Sequence, residues 1–177
     1  YKSIAVADSK GGTVNLDGLD VPALIEFKNA GNSVDSFYGG EKTTSEKVLE
    51  VECDILAPAA LENTITAENV DRIRTKVILE LANGPTTTEA DGVLFGKGVQ
   101  VLPDILANAG GVTVSYFEWD QNLKGEHWTE QEVFNKLRSI MQESCASVFA
   151  MAKEKNTDLR TAAFIVAMKR IESAMKE

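Results

Sequence analysis

The chain is poor in the side chains that build metal centres and catalytic triads. It contains one histidine and two cysteines in 177 residues. His127 alone argues against a histidine metal cluster and against a Ser-His-Asp triad within this chain. Cys53 and Cys145 are far apart in sequence and form no CxxC motif. We therefore expect reduced thiols rather than a disulfide, and no metal site.

Clusters of positive charge and long apolar runs are also absent. The net charge of -9 and a pI near 4.7 argue against nonspecific binding to nucleic acid or to an anionic membrane, because both partners require a basic surface. No apolar run approaches the ~18 residues of a membrane-spanning helix, and the N-terminus lacks the charged and apolar regions of a signal peptide. These features predict a cytoplasmic protein.

Short apolar segments alternate with helix-start signals through the first two thirds of the chain. The apolar segments predict strands at residues 3–7, 54–57, 76–81 and 99–102. Asp20 is suited to cap a helix that begins near Val21-Pro22. Capping-box spacing marks three further helix starts, at Thr43/Glu46, Thr86/Glu89 and Thr129/Glu132. This alternation predicts an α/β fold with a Rossmann-like, mostly parallel sheet.

The last third of the sequence predicts helices only. After Thr129, apolar residues recur at intervals of three and four, which indicates one amphipathic helix. The positions are Val133, Leu137, Ile140, Met141, Cys145, Val148 and Ala152. Residues 156–158 interrupt this pattern, and residues 162–168 are apolar nearly all round. A second helix buried against other protein is expected there.

Polar or small residues follow each predicted strand. They occupy residues 8–10, 58–63, 82–86 and the stretch 108–122. In an open parallel sheet, ligands bind outside the carboxyl ends of the strands. These four segments therefore predict one ligand-binding cleft.

The stretch from Asn108 to Asn122 has the groups of a binding surface. Asn108 offers an amide, Ser115 offers a hydroxyl, and Gly110 and Gly111 permit close approach of the backbone. Such groups suit a planar carboxamide or a carboxylate. The alternative is a glycine-broken loop entering a buried helix, whose core residues would be Val112, Val114, Phe117 and Trp119.

Asp8 suits the adenosine end of a dinucleotide. In dinucleotide-binding folds, an acid at the end of the second strand accepts hydrogen bonds from the ribose and repels a 2′-phosphate, which favours NAD. The GxGxxG turn expected about 20 residues before that acid is missing, and Tyr1 stands too close to Asp8 for such a turn to precede it. We expect the sequence to begin at the second strand of such a domain.

Four blocks of this sequence resemble the glutamate dehydrogenase family, especially its archaeal and bacterial hexameric members. They are DSKGG at residues 8–12, DILAPAA at 54–60, ANGPT at 82–86 and the region 103–122 that contains NAGGVTVSYFEW. The resemblance implies reversible oxidative deamination of L-glutamate to 2-oxoglutarate and ammonia, with NAD or NADP as cofactor. It also implies a homo-hexamer. The catalytic lysine and aspartate of the family belong to an N-terminal domain outside this sequence, so no catalytic residue is assigned here.

The resemblance also assigns roles to individual residues. It places the adenosine ribose at Asp8 and Ser9, and it places Ala59 and Ala60 along the cofactor. Asn83 and Asn108 would lie near the nicotinamide and its ribose. The glutamate side chain would be bound at Val112 and Ser115. Residues 1–122 would form the N-terminally truncated dinucleotide-binding domain, and residues 123–177 a helical segment packed on it.

Several alternatives remain at the level of sequence. Lys10 could partly neutralise a 2′-phosphate, so NADP use or dual use stays open. A branched-chain or aromatic amino-acid dehydrogenase shares the fold and chemistry, although Ser115 argues against it, because those enzymes bind no carboxylate at that place. A noncatalytic assembly or regulatory module that has lost the phosphate-binding turn is the alternative of another class.

Overall fold

A computed structural model describes residues 1–176, which form six strands and seven α-helices. The strands are β1 (Ala5–Asp8), β2 (Gly11–Val14), β3 (Glu41–Thr43), β4 (Cys53–Leu56), β5 (Thr75–Leu79) and β6 (Gln100–Leu102). The helices are α1 (Val21–Asn29), α2 (Ser45–Leu49), α3 (Thr88–Gly96), α4 (Asp104–Ala107), α5 (Ala109–Lys124), α6 (Glu130–Lys155) and α7 (Leu159–Ala174). Two short 3-10 helices cover Val34–Ser36 and Val70–Arg72.

The described chain divides into two compact units. The first contains Tyr1–Leu56 and Asp71–Thr75, and the second contains Ala57–Val70 and the chain from Lys76 onward. Two three-stranded sheets are formed, in the orders β1-β2-β3 and β4-β5-β6. The boundary expected at residue 122, between the dinucleotide-binding domain and the helical segment, stays a prediction.

The first unit is built on an antiparallel sheet. Strand β1 pairs with β2, with Asp8 opposite Gly11, and β2 pairs with β3. Leu19, Leu24 and Phe37 form the core of this unit. Helix α1 begins where expected, because the Asp20 carboxylate accepts the Ala23 amide at 3.1 Å.

The polar segment expected at residues 8–10 is shorter than predicted, because Asp8 still belongs to β1 and Gly11 and Gly12 already belong to β2. The connection between β1 and β2 is only Ser9-Lys10, and the Asp8 carboxylate accepts the Lys10 amide at 2.9 Å. A Cβ on Gly12 would lie 2.4 Å from Cγ2 of Val48. Glycine therefore allows the second strand to pass directly beneath α2.

The second unit contains the parallel pairing that the sequence predicts. Strands β5 and β6 are parallel, with Ile78 opposite Val101, and α3 connects them. Fully buried Ile78 and Leu94 lie in this part of the core. An α/β architecture with a parallel three-stranded sheet followed by C-terminal helices is thus confirmed.

Helix α6 begins and ends where the sequence predicts. Thr129 and Glu132 form a reciprocal capping box at the start of α6, and Asn156 ends that helix in a left-handed conformation. Leu106, Val148, Leu159, Ala162 and Ala163 pack into a core cluster.

Two expectations about helix starts were wrong. Helix α2 is capped by Thr44 and α3 by Thr87, each one residue later than predicted. Thr43 belongs to β3 and Thr86 forms a bridge with Ile65, so strand pairing holds both residues outside the helices. Helix α7 buries Ala162 and Ala163 within this chain, and one stripe of its other apolar side chains is exposed, so the expected burial against other protein stays a prediction for these residues: Phe164, Met168, Ile171 and Met175.

Candidate active site

Asn83 and Asn108 lie side by side in the second unit. Asn83 is exposed in the loop that follows β5, and Asn108 lies at the junction of α4 and α5. The Asn108 amide nitrogen donates to the Asn83 side-chain oxygen at 2.7 Å. The other polar atoms of the two side chains are the Asn83 amide nitrogen, which is a hydrogen-bond donor, and the Asn108 side-chain oxygen, which is an acceptor. Two such groups match the complementary edge of a carboxamide.

The loop that carries Asn83, residues 82–86, is held by hydrogen bonds on several sides. Gly84 has a φ of +55°, a left-handed conformation that glycine adopts without strain. Its amide donates to Oδ2 of Asp104 at 2.8 Å, and its carbonyl accepts the Asn63 amide at 2.9 Å. The Pro85 carbonyl accepts the amides of Thr64 and Ile65 at 2.8 and 2.9 Å. These bonds fix the backbone from which Asn83 projects.

Ala59 and Ala60 form an exposed small-residue segment beside this loop. Pro58, which precedes them, is buried, and its carbonyl accepts the amides of Leu81 and Ala82 at 3.0 and 2.9 Å. The segment is therefore attached to the end of β5 through its backbone. Methyl side chains at this place leave room for a ligand to approach.

Val112 and Ser115 lie one turn apart on the exposed side of α5. Val112 is 71% exposed and Trp119 is 57% exposed, whereas Phe117 is buried. The core alternative is thus wrong for Val112, Val114 and Trp119 and holds only for Phe117. A Cβ on Gly111 would meet no atom within 4 Å, so this side of the helix is open.

Gly110 and Gly111 are helical rather than part of a loop. Helix α5 begins at Ala109, and neither glycine has a positive φ. The conformational freedom expected of them is not used in this structure. Their contribution is the absence of side chains: a Cβ on Gly110 would lie 4.0 Å from Cδ1 of Leu137, whereas one on Gly111 would face open space.

Asp8 belongs to the first unit, where it ends β1 beside the exposed Ser9. One carboxylate oxygen accepts the Lys10 amide, and the other pairs with the Lys28 ammonium and accepts the Val34 amide at 3.3 Å. The hydrogen bond from Lys28, with that from Lys10, lowers the pKa of Asp8 from 3.8 to about 2. The carboxylate is therefore ionised at neutral pH.

A charged cluster in the second unit was not predicted from the sequence. Arg160 of α7 contacts Glu80 at 2.8 Å, Asp91 at 2.7 Å and Asp104 at 3.3 Å. Burial lowers the pKa of Arg160, but the hydrogen bonds to Glu80 and Asp91 outweigh it, so the pKa is raised. Glu80 is completely buried and also accepts the Asp104 amide at 2.9 Å. The sequence feature that could have predicted a nearby cation is Glu80 itself, an acid within the apolar run 76–81.

Metal-ligand clusters and membrane-spanning helices were also sought in the described part of the chain. Residues 1–176 contain no group of three histidine, cysteine or acidic side chains placed to hold a metal ion. None of the helices described here is long and apolar enough to cross a membrane.

Comparison with known proteins identifies the family of this chain. The family model for glutamate/leucine/phenylalanine/valine dehydrogenase matches residues 1–177. A glutamate dehydrogenase of Thermotoga maritima is 48% identical over 99% of this chain. An NADP-specific glutamate dehydrogenase of Synechocystis is 44% identical, and a catabolic NAD-specific one of Bacillus subtilis is 43% identical, each over 99% of this chain.

Similarity extends to the three-dimensional structure. The hetero-hexameric glutamate dehydrogenase of Thermus thermophilus superposes with a TM-score of 0.87 at 29% identity, over 98% of this chain and 41% of its own. The sequence spans 42%, 43% and 41% of the lengths of the Thermotoga, Synechocystis and Bacillus relatives. The chain belongs to the glutamate/leucine/phenylalanine/valine dehydrogenase family.

Proposed function

We propose that this chain is the cofactor-binding part of an NAD(P)-dependent glutamate dehydrogenase that interconverts L-glutamate with 2-oxoglutarate and ammonia. The observation that carries the proposal is the contact between Asn83 and Asn108 at 2.7 Å, at the uncovered start of α5. The named relatives support the same activity. Catalytic proton transfer is assigned to residues outside this sequence, and the chain alone is expected to be inactive.

Residues of each unit suit one part of a nicotinamide dinucleotide. Asn83 and Asn108 offer an amide donor and an amide acceptor for the carboxamide. Ala59 and Ala60 leave space along the cofactor. A carboxylate has about four lone-pair positions, so Asp8 retains acceptor capacity for a ribose hydroxyl beside its three present partners. When bound, the nicotinamide supplies the hydride acceptor or donor of the reaction.

Val112 and Ser115 are proposed to line the pocket for the glutamate side chain. Both face outward from α5 within one turn of each other. A hydroxyl that donates to the distal carboxylate discriminates against leucine, valine and phenylalanine, which lack that group. This favours glutamate over the other substrates of the family.

The activity is tested with the full-length gene product that contains this sequence. Oxidative deamination is measured with glutamate, leucine, valine and phenylalanine, each with NAD and with NADP. Glutamate should give the largest kcat/KM. Absence of activity with all four substrates would refute the proposed function, and a preference for an apolar substrate would refute the assignment to glutamate.

Ser115→Ala should lower kcat/KM for glutamate at least about tenfold, because a hydrogen bond to a charged group contributes about 1.5–3 kcal/mol. Ser139→Ala is the matched control, since Ser139 is an exposed helical serine on α6. Equal glutamate kinetics in the wild type and the Ser115 variant would remove Ser115 from the pocket.

Asp8 is proposed to favour NAD over NADP. In Asp8→Ser the Lys28 ammonium loses its carboxylate and becomes available to a 2′-phosphate. The NADP/NAD ratio of kcat/KM should rise by about tenfold, the change produced by 1.4 kcal/mol. Asp17→Ser, in an exposed turn of the same unit, is the control. A flat ratio would mean that Asp8 does not face the ribose.

A homo-hexamer is the proposed assembly. The hetero-hexameric Thermus structure supports an assembly of six subunits, and the exposed apolar stripe of α7 is a kind of surface that marks interaction sites in soluble proteins. That the six subunits are identical is part of the proposal. Light scattering of the full-length product should give six times the subunit mass. A monomer would contradict the proposal.

A further inference from the structure

Arg160 reaches the 82–86 loop through one intermediate residue, Asp104. The Arg160 Nη1 contacts Oδ1 of Asp104 at 3.3 Å, and Oδ2 of the same carboxylate accepts the Gly84 amide at 2.8 Å. Asp104 thus divides its two oxygens between α7 and the loop. Its position is further fixed by its own amide, which donates to Glu80 at 2.9 Å.

The guanidinium is well placed to hold this arrangement. It also binds Glu80 through Nη2 at 2.8 Å and Asp91 through Nε at 2.7 Å, so three strand-end and helix-start segments meet on one side chain. Only 21% of the Arg160 side chain is exposed. A planar fork with five N–H donors can bind several carboxylates in fixed directions, which an ammonium group cannot do.

We propose that Arg160 is a positioning residue that sets the 82–86 loop for cofactor binding, acting through Asp104. The proposal rests on the proposed function for the role of Asn83, which projects from this loop. Asn83 is joined to Asn108, and Asn108 lies four residues after Asp104 at the other end of α4. A displacement of Asp104 would therefore move Asn83 through the bond to Gly84, and Asn108 through helix α4.

Substitutions at two carboxylates that contact Arg160 distinguish a positioning role for the loop from a general contribution to stability. Asp104→Asn keeps the size of the side chain but leaves one oxygen where two are needed, so either Arg160 or Gly84 loses its acceptor. Asp91→Asn also removes one charged contact with Arg160, but no hydrogen bond joins Asp91 to the 82–86 loop in the described structure. Arg160→Lys keeps the charge and removes the fork, and it provides a second variant if Asp104→Asn folds poorly.

The first measurement is amide hydrogen exchange of the peptide that contains residues 82–86, in the full-length gene product without cofactor. Asp104→Asn and Arg160→Lys should speed exchange in this peptide at least about tenfold, because each breaks a charge-assisted hydrogen bond that holds the loop. Asp91→Asn should leave it unchanged. Equal exchange in the two aspartate variants, or no change in either, would overturn the proposal.

The second measurement is the Kd for NADH and NADPH, by fluorescence titration of the same variants. Asp104→Asn and Arg160→Lys should raise it at least about tenfold, and Asp91→Asn should not. A loosened loop with unchanged Kd values would overturn the link to the cofactor and leave Arg160 a purely structural residue. If the wild type binds neither nucleotide, the proposed function fails, and hydrogen exchange alone still decides whether Arg160 holds the loop.

Discussion

Asp8 in the first unit and Glu80 in the second both stand at the end of a strand and both pair with a cation from a later helix, yet only Glu80 is enclosed. Glu80 is fully buried and its partner Arg160 is 21% exposed, whereas Lys28, the partner of Asp8, is 49% exposed. An enclosed pair is costly to break, because an uncompensated charge remains out of water. A pair at the surface exchanges its partner for water at little cost. The first arrangement therefore suits fixed support, and the second suits a site where a ligand can approach the carboxylate.

Arg160→Met should have the largest effect on stability. Three carboxylates lose their common cation, and breaking a buried pair costs about 3–5 kcal/mol, so we expect a loss of about 3 kcal/mol in the free energy of unfolding. Urea titration followed by tryptophan fluorescence measures it. Arg170→Met, at an exposed position of α7, should change stability by less than about 0.5 kcal/mol. Equal losses in the two variants would remove the contrast between enclosed and exposed cations.

Lys28→Met should have a much smaller effect on stability than Arg160→Met. Nearly half of the Lys28 side chain is exposed, so the loss in the free energy of unfolding should stay below about 1 kcal/mol. The same urea titration applies. A loss as large as that of Arg160→Met would show that the Asp8 pair is also a structural element, and would weaken the case for a ligand site there.

The pH dependence of the Asp8 contribution should be the smallest effect. Folding lowers the pKa of Asp8 from 3.8 to about 2, first through the hydrogen bond from Lys28 and then through the Lys10 amide. A lowered pKa means that the stabilisation is complete above about pH 4 and is lost as the pH falls towards 2. The difference in unfolding free energy between wild type and Asp8→Asn should shrink over that range. A difference that grows with acid would contradict the assignment.

Features that depend on neighbouring residues could be predicted from the sequence. The caps at Asp20 and Thr129 involve residues three positions apart, and both are present. The caps at Thr44 and Thr87 were missed by one position, because the pairing of Thr43 with Gly12 and of Thr86 with Ile65 is set by distant segments. Local pattern thus located these four helix starts to within one residue but could not choose between adjacent threonines.

Features that depend on remote residues were not predictable in this way. Asn83 and Asn108 were both named from their motifs, but only the fold shows that their amides are in contact. The cluster around Arg160 joins residues separated by 80, 69 and 56 positions, and no local spacing encodes such a meeting. The polar side chains of the site could be listed from sequence, whereas the residues that hold them could not.

The distance along the chain between Glu80 and Arg160 also sets an order of events during synthesis. The carboxylate is translated 80 residues before the guanidinium that will enclose it. At about 5–20 residues per second, the wait is on the order of 4–16 s. Throughout that interval β5 can pair with neighbouring strands only while the Glu80 carboxylate remains hydrated. Burial of this strand end, and with it the final shape of the loop beside it, is therefore completed only after α7 has left the ribosome.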